Sequence, residues 1–135
     1  MENVFEMALR LRSQGLSADT EEAGRMLLEK ALALFQQAVN EMPDDAKRVF
    51  YLAMSHDILD MEQEAIPFYH RAIALELPLA QRFEANLYLA SSYFNVGKLE
   101  QAEHHLVIAE HIRSNEGAVD DQGAFFDIAS KIRGR

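Results

Sequence analysis

Cysteine is absent from the 135 residues, which excludes disulfides and thiolate metal sites outright. That absence suits a cytoplasmic location. Proline occurs 3 times and glycine 6 times, too few for a fold of many short strands joined by tight turns. Positive charge is also scarce: 13 Lys and Arg face 22 Asp and Glu, for a formal net charge of −9. Phosphate backbones are repelled on average and no basic run offsets this, so nucleic acid is not an expected partner. The single basic cluster, Lys131, Arg133 and Arg135, suits the negative end of a terminal helix. No apolar run approaches the roughly 20 residues needed to cross a bilayer. Met1-Glu2-Asn3 lacks the basic start of a signal peptide, and Glu6, Arg10 and Arg12 interrupt the apolar residues that follow. A soluble, unanchored chain with no membrane partner is expected.

What is present favours helix. Alanine, leucine and glutamate dominate, and 49% apolar residues supply a core for one domain over 1–135. Val4, Met7, Ala8 and Leu11 recur at helical spacing and predict a helix over 3–13, ended by Ser13-Gln14-Gly15. Ser17, Asp19 and Thr20 offer N-caps for a long helix over 21–41, locally weakened by Gly24 and stopped by Pro43. Asp44 or Asp45 caps a third helix over 46–59. A fourth follows over 62–75, with Pro67 in its early part and Pro78 at its exit. A fifth over 80–96 closes on Gly97 in a left-handed cap. A sixth covers 99–112, a break falls at 114–117, and a seventh covers 121–132. No strand is expected.

Self-comparison exposes a repeat. Ala31/Phe35/Ala38, Ala65/Tyr69/Ala72 and Ala102/Leu106/Ala109 each place a large apolar residue between two alanines, and the triplets start 34 and then 37 residues apart. Residues three and four apart share a helix face, so the alanines admit a neighbouring helix closely and the large residue fills the gap. Leu52-Ala53 and Leu89-Ala90 precede the later triplets, and His56 and Tyr93 stand three residues after the small alanines.

These residues resemble the tetratricopeptide repeat: a helix with a leucine, a small residue and an aromatic, a turn, then a helix with alanine, aromatic and alanine, then proline. His56 departs from the aromatic, and Asp60 stands where the next unit has Gly97. The resemblance implies an all-α, right-handed solenoid of antiparallel helix pairs with about seven helices. Clear units are expected over 46–78 and 83–113, a degenerate unit or cap over 3–43, and a capping helix over 121–133. In that family the first helix of each unit lines a concave groove. Lys47, Phe50, Tyr51, Met54, Asp57 and Ile58 would approach it from one helix, and Glu84, Leu87, Tyr88, Ser91, Phe94 and Asn95 from the next. The candidate ligand-groove residues are Lys47, Tyr51, Met54, Asp57, Tyr88, Ser91, Phe94 and Asn95, of which Tyr51, Met54, Tyr88 and Phe94 would make an apolar, aromatic patch suited to a peptide or helix. The competing reading packs them against the second or seventh helix. The lysine, arginine and asparagine set with which some members hold a C-terminal carboxylate is not reproduced, so an acidic C-terminal tail is not the expected ligand.

Other chemistry finds little footing. His56, His70, His104, His105 and His111 form neither Glu-x-x-His nor His-Glu-x-x-His, so surface or interface roles are expected and metal is not. Ser55, His56 and Asp57 are neighbours on one helix, where side chains diverge by about 100°, so they cannot make a triad among themselves. No glycine-rich phosphate loop occurs. The expected role is therefore a protein-binding scaffold with no cofactor and no turnover. Self-assembly into a homo-oligomer is the alternative, with an enzyme or small-ligand binder ranked below it.

Overall fold

A computed structural model describes residues 1–115 and 123–134. Its helices are α1 (Val4–Leu16), α2 (Glu21–Glu41), α3 (Ala46–Ile58), α4 (Glu62–Ala74), α5 (Leu79–Asn95), α6 (Leu99–Asn115) and α7 (Ala124–Arg133). The described residues contain no strand, and the architecture is the expected all-α solenoid. Three hairpins, α1–α2, α3–α4 and α5–α6, stack in chain order through α2 on α3 and α4 on α5. α7 packs on both α5 and α6.

Capping sets the starts of several helices. Asn3 accepts from the Glu6 amide at 2.8 Å while Glu6 reaches back to the Asn3 amide, a reciprocal box. Thr20 caps α2 by accepting from the Ala23 amide at 3.1 Å. Asp45, of the two candidate aspartates, caps α3 through the Arg48 amide at 3.0 Å. Pro78 does more than mark an exit: its carbonyl accepts the Arg82 amide at 2.8 Å and so opens α5. Gly97 adopts φ +82° at the end of α5, and Asp60 adopts φ +62° at the corresponding end of α3. The turn therefore keeps its left-handed residue even where glycine is missing.

Every member of the alanine triplets is at most 1% exposed. Each alanine removes bulk where hairpins meet, and Phe35, Tyr69 and Leu106 fill the space between, each burial contributing about 1.5–3 kcal/mol. The core divides into one cluster spanning α1 to α5 and a second built on Phe83, Leu87, Leu106 and Ile112. Phe125 of α7 joins the second cluster, with Ile128, Ala129 and Ile132 packed against it.

Several local expectations need correction. α1 does not end at Ser13-Gln14-Gly15 but runs through them to Leu16, because Gly15 is buried in the contact with α2. Pro67 lies in the early part of α4 as expected, but past the first turn, inside the helix. The Gln63 carbonyl loses its amide partner there, on an exposed face where water can replace it. α6 extends to Asn115. The rest of the expected 114–117 break, the start of the seventh helix at 121–122, and Arg135 lie outside the described residues.

Candidate functional site

The first helices of the three hairpins converge on one cavity of about 230 Å³, lined by Arg12 of α1, Met54, Asp57 and Ile58 of α3, Tyr69 of α4 and Tyr88 of α5. Met54, Asp57 and Ile58 lie within one turn and a residue of each other, so α3 presents all three along one side. Tyr69 reaches in from behind: its ring is fully buried, and its hydroxyl donates to Asp57 Oδ2 at 2.8 Å. Tyr88 donates to Glu84 Oε2 at 3.4 Å, one turn back on α5.

Low polarity governs the acid–base character of this cleft. Burial raises the pKa of the Asp57 carboxyl above its ordinary value, against the stabilising Tyr69 hydrogen bond. Glu84 is raised for the same reason. Tyr88 is pushed up to about 12, first by burial and then by the Glu84 charge. Tyr69 is raised well above the ordinary tyrosine value by burial and by Asp57.

The eight candidate residues separate into four groups. Met54, Asp57 and Tyr88 meet at the cavity. Ser91, Phe94 and Asn95 gather instead around Lys131 of α7: its ammonium donates to Ser91 Oγ at 2.9 Å and to Asn95 Oδ1 at 3.5 Å, and lies 5.5 Å from the centroid of the Phe94 ring. Tyr51 is turned toward α1 and α2, stacked on Phe35 at 5.7 Å and edge-on to Phe5 at 5.8 Å. Lys47 stands exposed on the first turn of α3, outside the lining. Phe50 and Leu87, also expected near the cleft, are only 1% exposed and belong to the core.

Arg12, Tyr69 and Lys131 join the site without standing at groove positions that the repeat spacing points to. Arg12 belongs to a hairpin whose first helix is out of register with the others, so spacing could not align it. Tyr69 read as the filler of an alanine triplet; its hydroxyl was the overlooked signal. Lys131 read as helix-end charge, a role that does not specify a partner.

The histidines sit at helix interfaces or on the surface. His70, His104 and His105 cluster beside Tyr93, with His105 stacked on the Tyr93 ring at 5.6 Å. His56 stacks on Phe68 at 5.4 Å. Among the described residues no group of three His, Cys, Asp or Glu is placed to hold a metal ion. No helix among them is long and apolar enough to cross a membrane.

Comparison with known proteins adds the family. A family model described as Tetratrico peptide repeat matches residues 46–130. No curated protein matches the chain. Among solved structures, a thermophilic tetratricopeptide protein of Thermus thermophilus superposes with a TM-score of 0.70 at 21% identity, covering 96% of this chain. The chain spans 62% of that protein. With an alternation of hairpins that matches the repeat and a family match over most of its length, the chain belongs to the tetratricopeptide repeat family.

Proposed function

We propose that the chain is a protein-interaction module that binds a peptide or helix of a partner in the cleft between its first helices. One observation carries this reading: α1, α3 and α5 each contribute side chains to a single cavity that combines apolar walls with a carboxylate and an arginine. Its volume of about 230 Å³ lies below the roughly 300–1,000 Å³ of small-molecule sites and on the scale of an anchoring side chain. Residues 1–135 act as one domain in this reading. Units over 46–78 and 83–113 follow a first unit over 3–43, and the helix expected over 121–133 closes the stack. Binding proceeds without turnover or cofactor. A cytoplasmic setting fits the cysteine-free composition.

Site-directed photocrosslinking tests it. A benzoylphenylalanine at Ile58, on the cavity rim and 38% exposed, is expected to trap a discrete partner in cell extract. The same group at Gln36, exposed on α2, is expected to trap none. Equal yields at the two positions would count against the cleft.

Self-association is the second reading, favoured by an apolar hollow on α6 lined by Arg82, Val107, Ile108, His111 and Ile112, with Val107 49% exposed. It predicts a dimer by light scattering that Val107→Asp converts to monomer.

A further inference from the structure

Asp57 has no contacting counter-ion, and the charge of Lys131 favours it only from a distance. Its Oδ2 accepts the Tyr69 hydroxyl at 2.8 Å. No cation forms an ion pair with it among the described residues. Arg12, the one basic residue in the cavity lining, has its guanidinium 5.4 Å from the centroid of the Tyr51 ring instead. A carboxylate half-buried among Met54, Ile58, Tyr69 and Tyr88 without a contacting counter-ion is costly to keep ionised. Its raised pKa is the symptom.

The chain shows which chemistry suits this surface. Tyr88, Ser91 and Asn95 succeed one another at three- and four-residue steps along α5, so they share a face. One turn from Tyr88, that face already seats an ammonium: Lys131, over the Phe94 ring and hydrogen-bonded to Ser91 and Asn95. At Asp57 the same kinds of group recur, an oxygen acceptor flanked by aromatic rings, with no cation paired to it. Aromatic faces and carboxylates together favour cations. The net charge of −9 would also steer basic segments toward the chain.

Resting on the reading of the cleft as a protein-binding groove, we propose that the cavity anchors one lysine or arginine side chain of a partner segment. The cation pairs with Asp57 and lies against Tyr88, while Met54 and Ile58 cover the aliphatic stem. Lys131 marks the neighbouring seat, filled from within.

The test selects short random peptides by phage display on the full chain, then measures the winners by fluorescence anisotropy. Selected peptides are expected to share one fixed lysine or arginine and to lose binding to Tyr88→Ala. Replacing that residue with norleucine or citrulline is expected to weaken binding roughly 10- to 100-fold, the range for a hydrogen bond to a charged group. Asp57→Asn should produce a similar loss and add little to the norleucine or citrulline peptide. The peptide substitution leaves the protein unchanged, so misfolding of a variant cannot mimic the result. Peptides that need Tyr88 but carry no fixed basic residue would overturn the anchor and leave the groove reading standing. No selected peptide, or binding indifferent to Tyr88→Ala, would overturn both.

Discussion

Gly24 of α2 lies against the backbone of Gly15 in α1 so closely that a Cβ on Gly24 would stand 2.7 Å from the Gly15 carbonyl oxygen. The obstacle is backbone, which cannot rotate away. Helix propensity alone favours alanine over glycine by about 1 kcal/mol, so two effects of opposite sign meet at this position. Overpacking against a fixed atom costs about 1–3 kcal/mol and is expected to prevail. Gly24→Ala should therefore lower stability by about 1–2 kcal/mol in urea unfolding. An unchanged or raised midpoint would show that α1 and α2 can separate without penalty.

Asp60 presents the reverse case. It adopts φ +62°, its side chain is exposed, and no side-chain hydrogen bond holds it there among the described residues. The turn it closes, with the Met61 amide donating to the His56 carbonyl at 2.9 Å, repeats at Lys98 and Tyr93 at 2.8 Å, where glycine occupies the left-handed position. Asp60→Gly relieves the conformational strain and is expected to stabilise the protein by about 0.5–1 kcal/mol. Calorimetry should register a Tm rise of about 2–5 °C. A fall in Tm would mean that Asp60 makes a stabilising contact outweighing the strain.

These glycine and left-handed positions explain which parts of the fold could be read in advance. Ala65 and Ala102 were legible because a helix face repeats within one element and needs no knowledge of its neighbours. The α1–α2 pairing was not: Gly15 and Gly24 look like breakers until each is seen making room for the other chain segment. Lining residues were harder still. Phe50 and Met54 share a helix and both belong to the core, yet only Met54 also lines the cavity, because helix packing on both sides of α3 decides the direction. Tyr51 illustrates the same limit, since its partners Phe5 and Phe35 lie in a hairpin whose register the sequence concealed. Asp57 was legible as a candidate, but its hydrogen bond to Tyr69 depends on how α3 and α4 pack.

Acid should weaken the α4–α5–α6 junction through His105. Its pKa is pushed down to about 4, first by burial and then by the nearby charges of His70 and His104. His105 Nδ1 donates to Asn86 Oδ1 at 3.0 Å while the ring stacks on Tyr93. The unfolded chain takes up a proton near the ordinary 6.5, whereas the folded one resists until about 4. The contribution of the neutral ring is thus whole above 6.5 and is lost as pH falls toward 4. Burial also lowers His70, adding the same slope. Asp57 and Glu84 have raised pKa values and act oppositely, since the folded state holds their protons more tightly. His105→Gln isolates the effect. The wild type is expected to lose about 1–2 kcal/mol more than this variant between pH 6.5 and 4, a figure discounted for the half-exposed ring. Parallel stability curves would remove His105 as the cause.

Arg133 ties the last helix to the stack. Its guanidinium meets Glu103 at 3.0 Å and Glu110 at 3.3 Å, both on α6. Exposed pairs contribute about 0–1 kcal/mol each, but one arginine shared by two carboxylates in fixed geometry lies toward the upper end of that range. Within α7, Phe125 is the one buried side chain, and Phe126 is 58% exposed. Local opening of α7 therefore costs less than global unfolding. Arg133→Ala is expected to speed amide exchange in 124–133 by about 3- to 10-fold, equivalent to about 0.7–1.4 kcal/mol of local stability, and to leave exchange in α3 and α4 unchanged. The same variant also loosens the seat of Lys131 over Phe94, because both side chains are carried by the last two turns of α7. Uniformly faster exchange across the chain would show instead that α7 opens only when the whole stack does.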